Sequence, residues 1–116
     1  MQIAIKGRNV PVTDELREHV DKRFQKIGRQ VSEFAQMEVE VAHERNPRNP
    51  DHEVAEVTLY LKGTTLRACE AAPNLRTAIN RCEEELSVQV KRHRDKRRRR
   101  REARSHADGG GISASL

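Results

Sequence analysis

A chain of 116 residues, with 34% hydrophobic and 35% charged side chains, has room for one small domain and an economical core. Its formal net charge of +5 is unevenly distributed: residues 1–90 carry thirteen basic and fifteen acidic side chains, while residues 91–104 carry ten Lys or Arg against Asp95 and Glu102. With two cysteines, no apolar leader before Lys6 and no apolar run near 18 residues, the composition argues against secretion and a membrane span, and predicts a cytoplasmic protein with reduced thiols and one localised nucleic-acid or membrane contact.

Gln2 to Lys6 alternates, with Ile3 and Ile5 on one face, and reads as a short strand broken by Gly7-Arg8-Asn9. Thr13 is a good N-cap, and Asp14 and Glu15 suit the positive end of the helix that follows. Leu16, Val20, Phe24 and Ile27 form its apolar stripe, and Gly28 stands where a left-handed C′ residue belongs. Lys22, Arg23, Lys26 and Arg29 crowd the last turn, where complementing the helix dipole and contacting a ligand are both open readings. Met37, Val39 and Val41 alternate with Glu38 and Glu40 as a half-buried strand. Glu44 to Asp51, with two prolines and two asparagines, is a loop. Val57, Leu59 and Leu61 mark a third strand, Gly63-Thr64 a tight turn, and Leu66 and Ala68 a fourth.

Pro73 and Asn74 open a second helix whose stripe is Leu75, Ile79, Cys82, Leu86 and Val90. After Val90 the apolar stripe stops and the basic run begins, so one helix combines a packing half with a cationic arm. Residues 74–104, if helical throughout, would span roughly 46 Å at about 1.5 Å per residue. A seven-residue strand covers only about 23 Å, so the arm would overhang the sheet by roughly 20 Å. A frayed tail fits the arm's composition equally well, and His106 to Leu116, with Gly109-Gly110-Gly111, reads as disordered.

The element order β-α-β-β-β-α carries a functional consequence. A helix between the first two strands makes them a parallel pair, and the hairpin-linked strands then alternate. Both helices therefore run parallel on one apolar face, and their C-terminal ends lie at the same end of the domain. Arg23, Lys26 and Arg29 are thereby expected beside Lys91, Arg92 and Arg94, in one phosphate-binding patch.

Catalysis finds no support, because no nucleophile–base grouping or glycine-rich phosphate loop is recognisable. His19, His43, His52, His93 and His106 show no ligand spacing with Cys69 or Cys82, so neither a metal nor another cofactor is expected. Glu83-Glu84-Glu85 reads as a solvated helix face. The outer sheet face, with Gln36, Glu38, Glu40, Glu56, Thr58, Tyr60 and Arg67, holds a single aromatic, which argues against base stacking there. Shape and phosphate recognition through helix ends, as in double-stranded RNA binding, fits better.

Two stretches resemble the ribosome hibernation-promoting factor family, also called ribosome-associated translation inhibitors. The first carries Gly7, Asn9, Val10, Thr13, Leu16, Arg17, Arg23, Phe24 and Lys26; the second carries Ala78, Ile79, Leu86, Gln89, Arg92, His93, Arg94 and Lys96. The resemblance covers residues 1–96. It implies an α+β, βαβββα fold: a four-stranded sheet with two parallel helices on one face, similar to double-stranded RNA-binding domains. It also implies a non-enzymatic translation inhibitor bound to the 30S subunit and 70S ribosome, in the mRNA/tRNA channel, against 16S rRNA. By position, Arg17, Arg23, Lys26, Lys91, Arg92, Arg94 and Lys96 would carry the rRNA contacts, joined by Arg97, Arg98, Arg99, Arg100 and Arg101 from the arm. Asn74, Arg76, Glu85 and Val88 depart from the family's pattern, which moves contact from mid-helix to the arm. Long members add a C-terminal dimerisation domain for which this chain has no room, so residues 1–96 are expected as the ribosome-binding domain, residues 97–116 as a basic helical extension with a disordered tail, and the free protein as a monomer. A general double-stranded RNA-binding module is the alternative.

Overall fold

In the computed structural model the described residues are 1–44, 48 and 50–103, with the last helix bounded at Ala114. The elements are β1 (Gln2–Arg8), α1 (Asp14–Gly28), β2 (Gln36–His43), β3 (Glu53–Leu61), β4 (Thr64–Ala72) and α2 (Leu75–Ala114). One sheet has the order β1-β2-β3-β4. β1 and β2 are parallel, with Ile3 opposite Met37 and Ile5 opposite Val39. β2–β3 and β3–β4 are antiparallel. This is the βαβββα, α+β arrangement that the sequence predicts. The expected tail from His106 and the inner part of the Glu44–Asp51 loop lie outside the described residues.

Both apolar stripes meet the same face of the sheet. Leu16, Val20, Phe24 and Ile27 from α1 join Ala78, Ile79, Cys82, Leu86 and Val90 from α2 in one buried cluster with Met37, Val39, Val41, Val57 and Leu59. Leu66, expected in the core, is only partly buried against it. Thr13 caps α1 by accepting the Leu16 N–H on Oγ1 at 3.1 Å. Asn74 caps α2 by accepting the Thr77 N–H at 2.8 Å. Each cap satisfies an N–H that has no carbonyl within the helix.

Two local expectations are corrected. β1 does not stop at Lys6: Gly7 and Arg8 stay in the ladder opposite Val41 and Ala42, and the turn falls at Asn9, with φ +60. Gly7 is required there because a Cβ would stand 2.1 Å from the Val10 carbonyl oxygen. Gly28 is the last helical residue of α1 and not a left-handed cap; Arg29 closes the helix at φ −76, in the right-handed region. Met1 packs over Gly28, where a Cβ would lie 3.4 Å from the Met1 Cε.

α2 is tied to the outermost strand by polar contacts as well as by its stripe. Arg81 donates to the Ala71 carbonyl at 2.7 Å, and Gln89 to the Arg67 carbonyl at 2.8 Å. The buried Cys82 thiol points to the Ala55 carbonyl at 3.2 Å. Packing and these contacts fix α2 from Arg81 to Val90. Residues 91–103 then continue the same helix beyond the last buried position, Val90.

Candidate nucleic-acid interface

The register of the two helices decides which cations are free. His19 Nε2 meets Asn80 Oδ1 at 2.8 Å, and one turn later Arg23 Nη2 lies 3.3 Å from Glu83 and 3.4 Å from Glu84. Arg23 therefore stands about two turns before Lys91, not beside it as the topology alone suggested, and its charge is already matched. Glu83 is buried and accepts from the Ser87 hydroxyl at 3.1 Å, so the acidic run is not one solvated face. Three consecutive helical residues point about 100° apart, and the first of these three points at α1. Glu85 lies on another side, where its carboxyl group is held above its ordinary value by a hydrogen bond with Glu70.

The C-terminal end of α1 meets α2 partway along its length, where the apolar stripe gives way to the basic run. Gln30, Val31 and Ser32, just after α1, share an open cleft of about 1370 Å³ with Val90, His93, Arg94, Arg97, Arg98 and Arg101 of α2. The cleft is also lined by Phe34 and Ala35 from the connection before β2, by Gln36 at the start of β2, and by Tyr60, Leu61 and Lys62 at and just after the end of β3. Burial, and after it the cations Arg97, Arg100 and Lys96, hold the His93 imidazole below its ordinary value. Its buried Nε2 has no hydrogen-bond partner among the described residues.

The arginine run is thus sorted by helical phase. Arg94, Arg97, Arg98 and Arg101 face the cleft; Lys91, Arg92, Lys96, Arg99 and Arg100 are exposed on the rest of the helix surface. None of these nine enters an ion pair within 4.0 Å among the described residues, although Asp95 and Glu102 also line the cleft. Arg17 and Lys26 are likewise exposed and unpaired among the described residues. Arg17 sits about 14 Å earlier than Lys26 along α1, so it belongs to the flank of the body. The geometry thus offers uncompensated cations on α1, on the rooted turn of α2 and on the arm, with Arg23 set apart.

Sequence reading missed Phe34. It is 84% exposed, the most exposed large hydrophobic residue described, and lines the same cleft as the arginines. It lies in the connection between α1 and β2, outside any periodic stripe, and only its isolation between the two elements marked it. The outer sheet face has the expected character: Tyr60 donates to Glu38 at 3.2 Å, and Arg67 pairs with Glu56 at 3.6 Å. Thr58, on that face, is buried beneath its neighbours.

Cys69 is exposed on β4 and Cys82 is buried, and both are free thiols. Burial pushes the Cys82 thiol up to about 12, far from a reactive thiolate. No cluster of three or more His, Cys, Asp or Glu among the described residues has the geometry to hold a metal ion. No described helix is long and apolar enough to cross a membrane.

Sheet, helix pair and cationic arm together define a βαβββα domain whose second helix carries a basic extension. The chain belongs to the Sigma 54 modulation protein / S30EA ribosomal protein family, whose profile matches residues 3–98. It is 30% identical over 97 residues to the ribosome hibernation promotion factor of Picosynechococcus, a match that covers 83% of this chain and 50% of that relative, so the chain spans about half of the cyanobacterial protein. It is 29% identical over 96 residues to the ribosome hibernation promoting factor of Salmonella typhimurium, covering 83% of this chain and 96% of the relative. The crystal structure of the Thermus thermophilus Protein Y N-terminal domain superposes with a TM-score of 0.68 at 29% identity, over 80% of this chain and 99% of that one.

Proposed function

We propose that this protein is a ribosome-binding translation inhibitor that occupies the mRNA/tRNA channel of the small subunit and stabilises idle ribosomes. One observation carries the reading: α1 ends beside the stretch of α2 where the buried stripe gives way to a run of cations that form no ion pair within 4.0 Å among the described residues. Kinship to proteins named for ribosome hibernation supplies the partner. Phosphate oxygens of 16S rRNA would take up Lys26, Lys91, Arg92 and Arg94, with Arg17 on the flank and Arg97 to Arg101 strengthening the field. The mechanism is steric and needs no catalytic group or cofactor: a folded wedge, monomeric when free, excludes tRNA and mRNA by standing where they bind. The outer sheet face, where Glu40 pairs with Arg8 and Glu56 with Arg67, lacks the arm's excess of cations and would face away from phosphate.

Cell lysate fractionated on a sucrose gradient tests this directly. The protein should follow 30S and 70S particles, and added protein should displace tRNA from purified small subunits. Migration with free RNA would favour a general double-stranded RNA-binding module. Saturation of one 30S particle by tRNA and this protein together would refute exclusion.

A further inference from the structure

The cleft beneath the arm has two unlike walls. One is a row of guanidinium groups, Arg94, Arg97, Arg98 and Arg101, rising over about two turns of helix, roughly 10 Å. The other is Phe34, 84% exposed, on a ledge with Ala35 and Leu61. At about 1370 Å³ the space exceeds the roughly 300–1,000 Å³ of an ordinary small-ligand pocket. It is open along its length, so it suits a strand better than a free metabolite.

The geometry points to a binding site for an unpaired stretch of RNA, with one base stacked on the Phe34 ring and the flanking phosphates on Arg94, Arg97, Arg98 and Arg101. This rests on the RNA-binding reading above and deepens it: the body meets RNA by shape and charge, while the cleft takes a single-stranded segment. Charge selects the occupant. Four arginines outnumber Asp95 and Glu102 in the cleft and form no ion pair within 4.0 Å among the described residues, which calls for a chain with a negative charge at each repeat. A planar apolar ring beside them calls for a flat partner, and every nucleobase presents one. A duplex keeps its bases stacked inside and cannot offer one to Phe34. Tyr60, the other aromatic lining the cleft, is half as exposed as Phe34 and its hydroxyl is held by Glu38, so Phe34 offers the larger free ring face. His93 lines the same cleft, its buried Nε2 without a hydrogen-bond partner among the described residues.

The experiment compares the full-length chain with Phe34→Ala, Phe34→Trp and the triple substitution Arg97→Gln, Arg98→Gln, Arg101→Gln. Binding to a labelled single-stranded RNA decamer and to an RNA duplex with the same number of phosphates is followed by fluorescence anisotropy. Loss of one stacked base should weaken the single strand by about 5- to 100-fold in Phe34→Ala and leave the duplex unchanged. In Phe34→Trp, single-strand affinity should be kept and the tryptophan emission quenched on binding, a signal absent with the duplex. The triple substitution should weaken both RNAs. Unchanged single-strand affinity in Phe34→Ala, or unquenched emission at saturation, overturns the cleft site while leaving the ribosome reading intact. Failure of the parent chain to bind either RNA or the small subunit overturns both. Tighter capture of a Glu-rich, aromatic-containing peptide than of the decamer, abolished by Phe34→Ala, would reassign the cleft to an acidic protein segment.

Discussion

Replacing Arg23 with Met separates a structural cation from a ligand-binding one. The aliphatic stem and its packing are retained, and only the guanidinium is lost. Its Nη2 lies 3.3 Å from Glu83, whose side chain is 11% exposed, and 3.4 Å from Glu84, whose side chain is 71% exposed. The contact to the exposed Glu84 contributes little, from nothing to about 1 kcal/mol. Stranding a fully buried carboxylate would cost about 3–5 kcal/mol, but here Arg23 is itself 36% exposed and water reaches the pair, so the loss should fall to about 1–2 kcal/mol. In a domain of this size that lowers Tm by roughly 5–15 °C. A double-mutant cycle with Glu83→Gln, read by thermal melts, should recover most of the loss as coupling. Ribosome affinity at a temperature where both proteins are folded should change little, whereas Lys26→Met should weaken it and leave Tm alone. An unaltered melt for Arg23→Met, with a loss of ribosome affinity matching that of Lys26→Met, would refute the assignment and return Arg23 to the phosphate surface.

Phe24 is fully buried between the helices and the sheet, and Phe24→Ala should cost about 3–5 kcal/mol, a large share of a small domain's stability, measured by urea titration. Within the arm, Lys91→Glu with Arg92→Glu and Arg94→Glu should abolish specific ribosome binding, because the rooted turn fixes where those charges point. Changing Arg97 to Arg101 to Gln should weaken binding at physiological salt and flatten its salt dependence by roughly 0.7–0.9 log unit per lost phosphate contact. Lower salt should restore the second variant and not the first; equal recovery of both would make the arm an undifferentiated polycation.

What the sequence disclosed followed from local periodicity. Alternation at Met37, Val39 and Val41, the four-residue stripe of α1 and the caps at Thr13 and Asn74 each rest on neighbours within one or two turns of chain. Element order then dictated the parallel strand pair and the parallel run of the helices. The relative register of α1 and α2 was not legible, because it depends on how Phe24 and Ile27 seat among Ile79, Cys82 and Leu86. That register turned Arg23 toward Glu83 and away from the basic patch. Gly7 was read as a strand breaker because its reason for being glycine, the Val10 carbonyl above it, is a contact made only after folding. Phe34 escaped notice because a loop residue has no period to belong to, and its partners on the cleft wall come from β3 and α2.

The continuity of α2 across Val90 makes the arm's charges a matter of angular phase. Each residue turns the helix by about 100°, so the hydrogen bonds of Arg81 and Gln89 to β4 set the heading of Arg98 and Arg101 from as far as about 30 Å away. Substitution of Arg99 or Arg100, which look elsewhere, leaves that heading intact. One residue inserted between Val90 and Lys91 turns every side chain of the arm by about 100°, so that Lys96, Arg97 and Arg100 take the headings of Arg97, Arg98 and Arg101, while His93 replaces Arg94. Four inserted residues turn the arm by about 400°, bringing it to within about 40° of its first heading and about 6 Å farther out. The unbroken basic run from Lys96 to Arg101 therefore buffers the arm against slips of register, and Arg94, flanked by His93 and Asp95, is the cleft-facing position that such a slip empties.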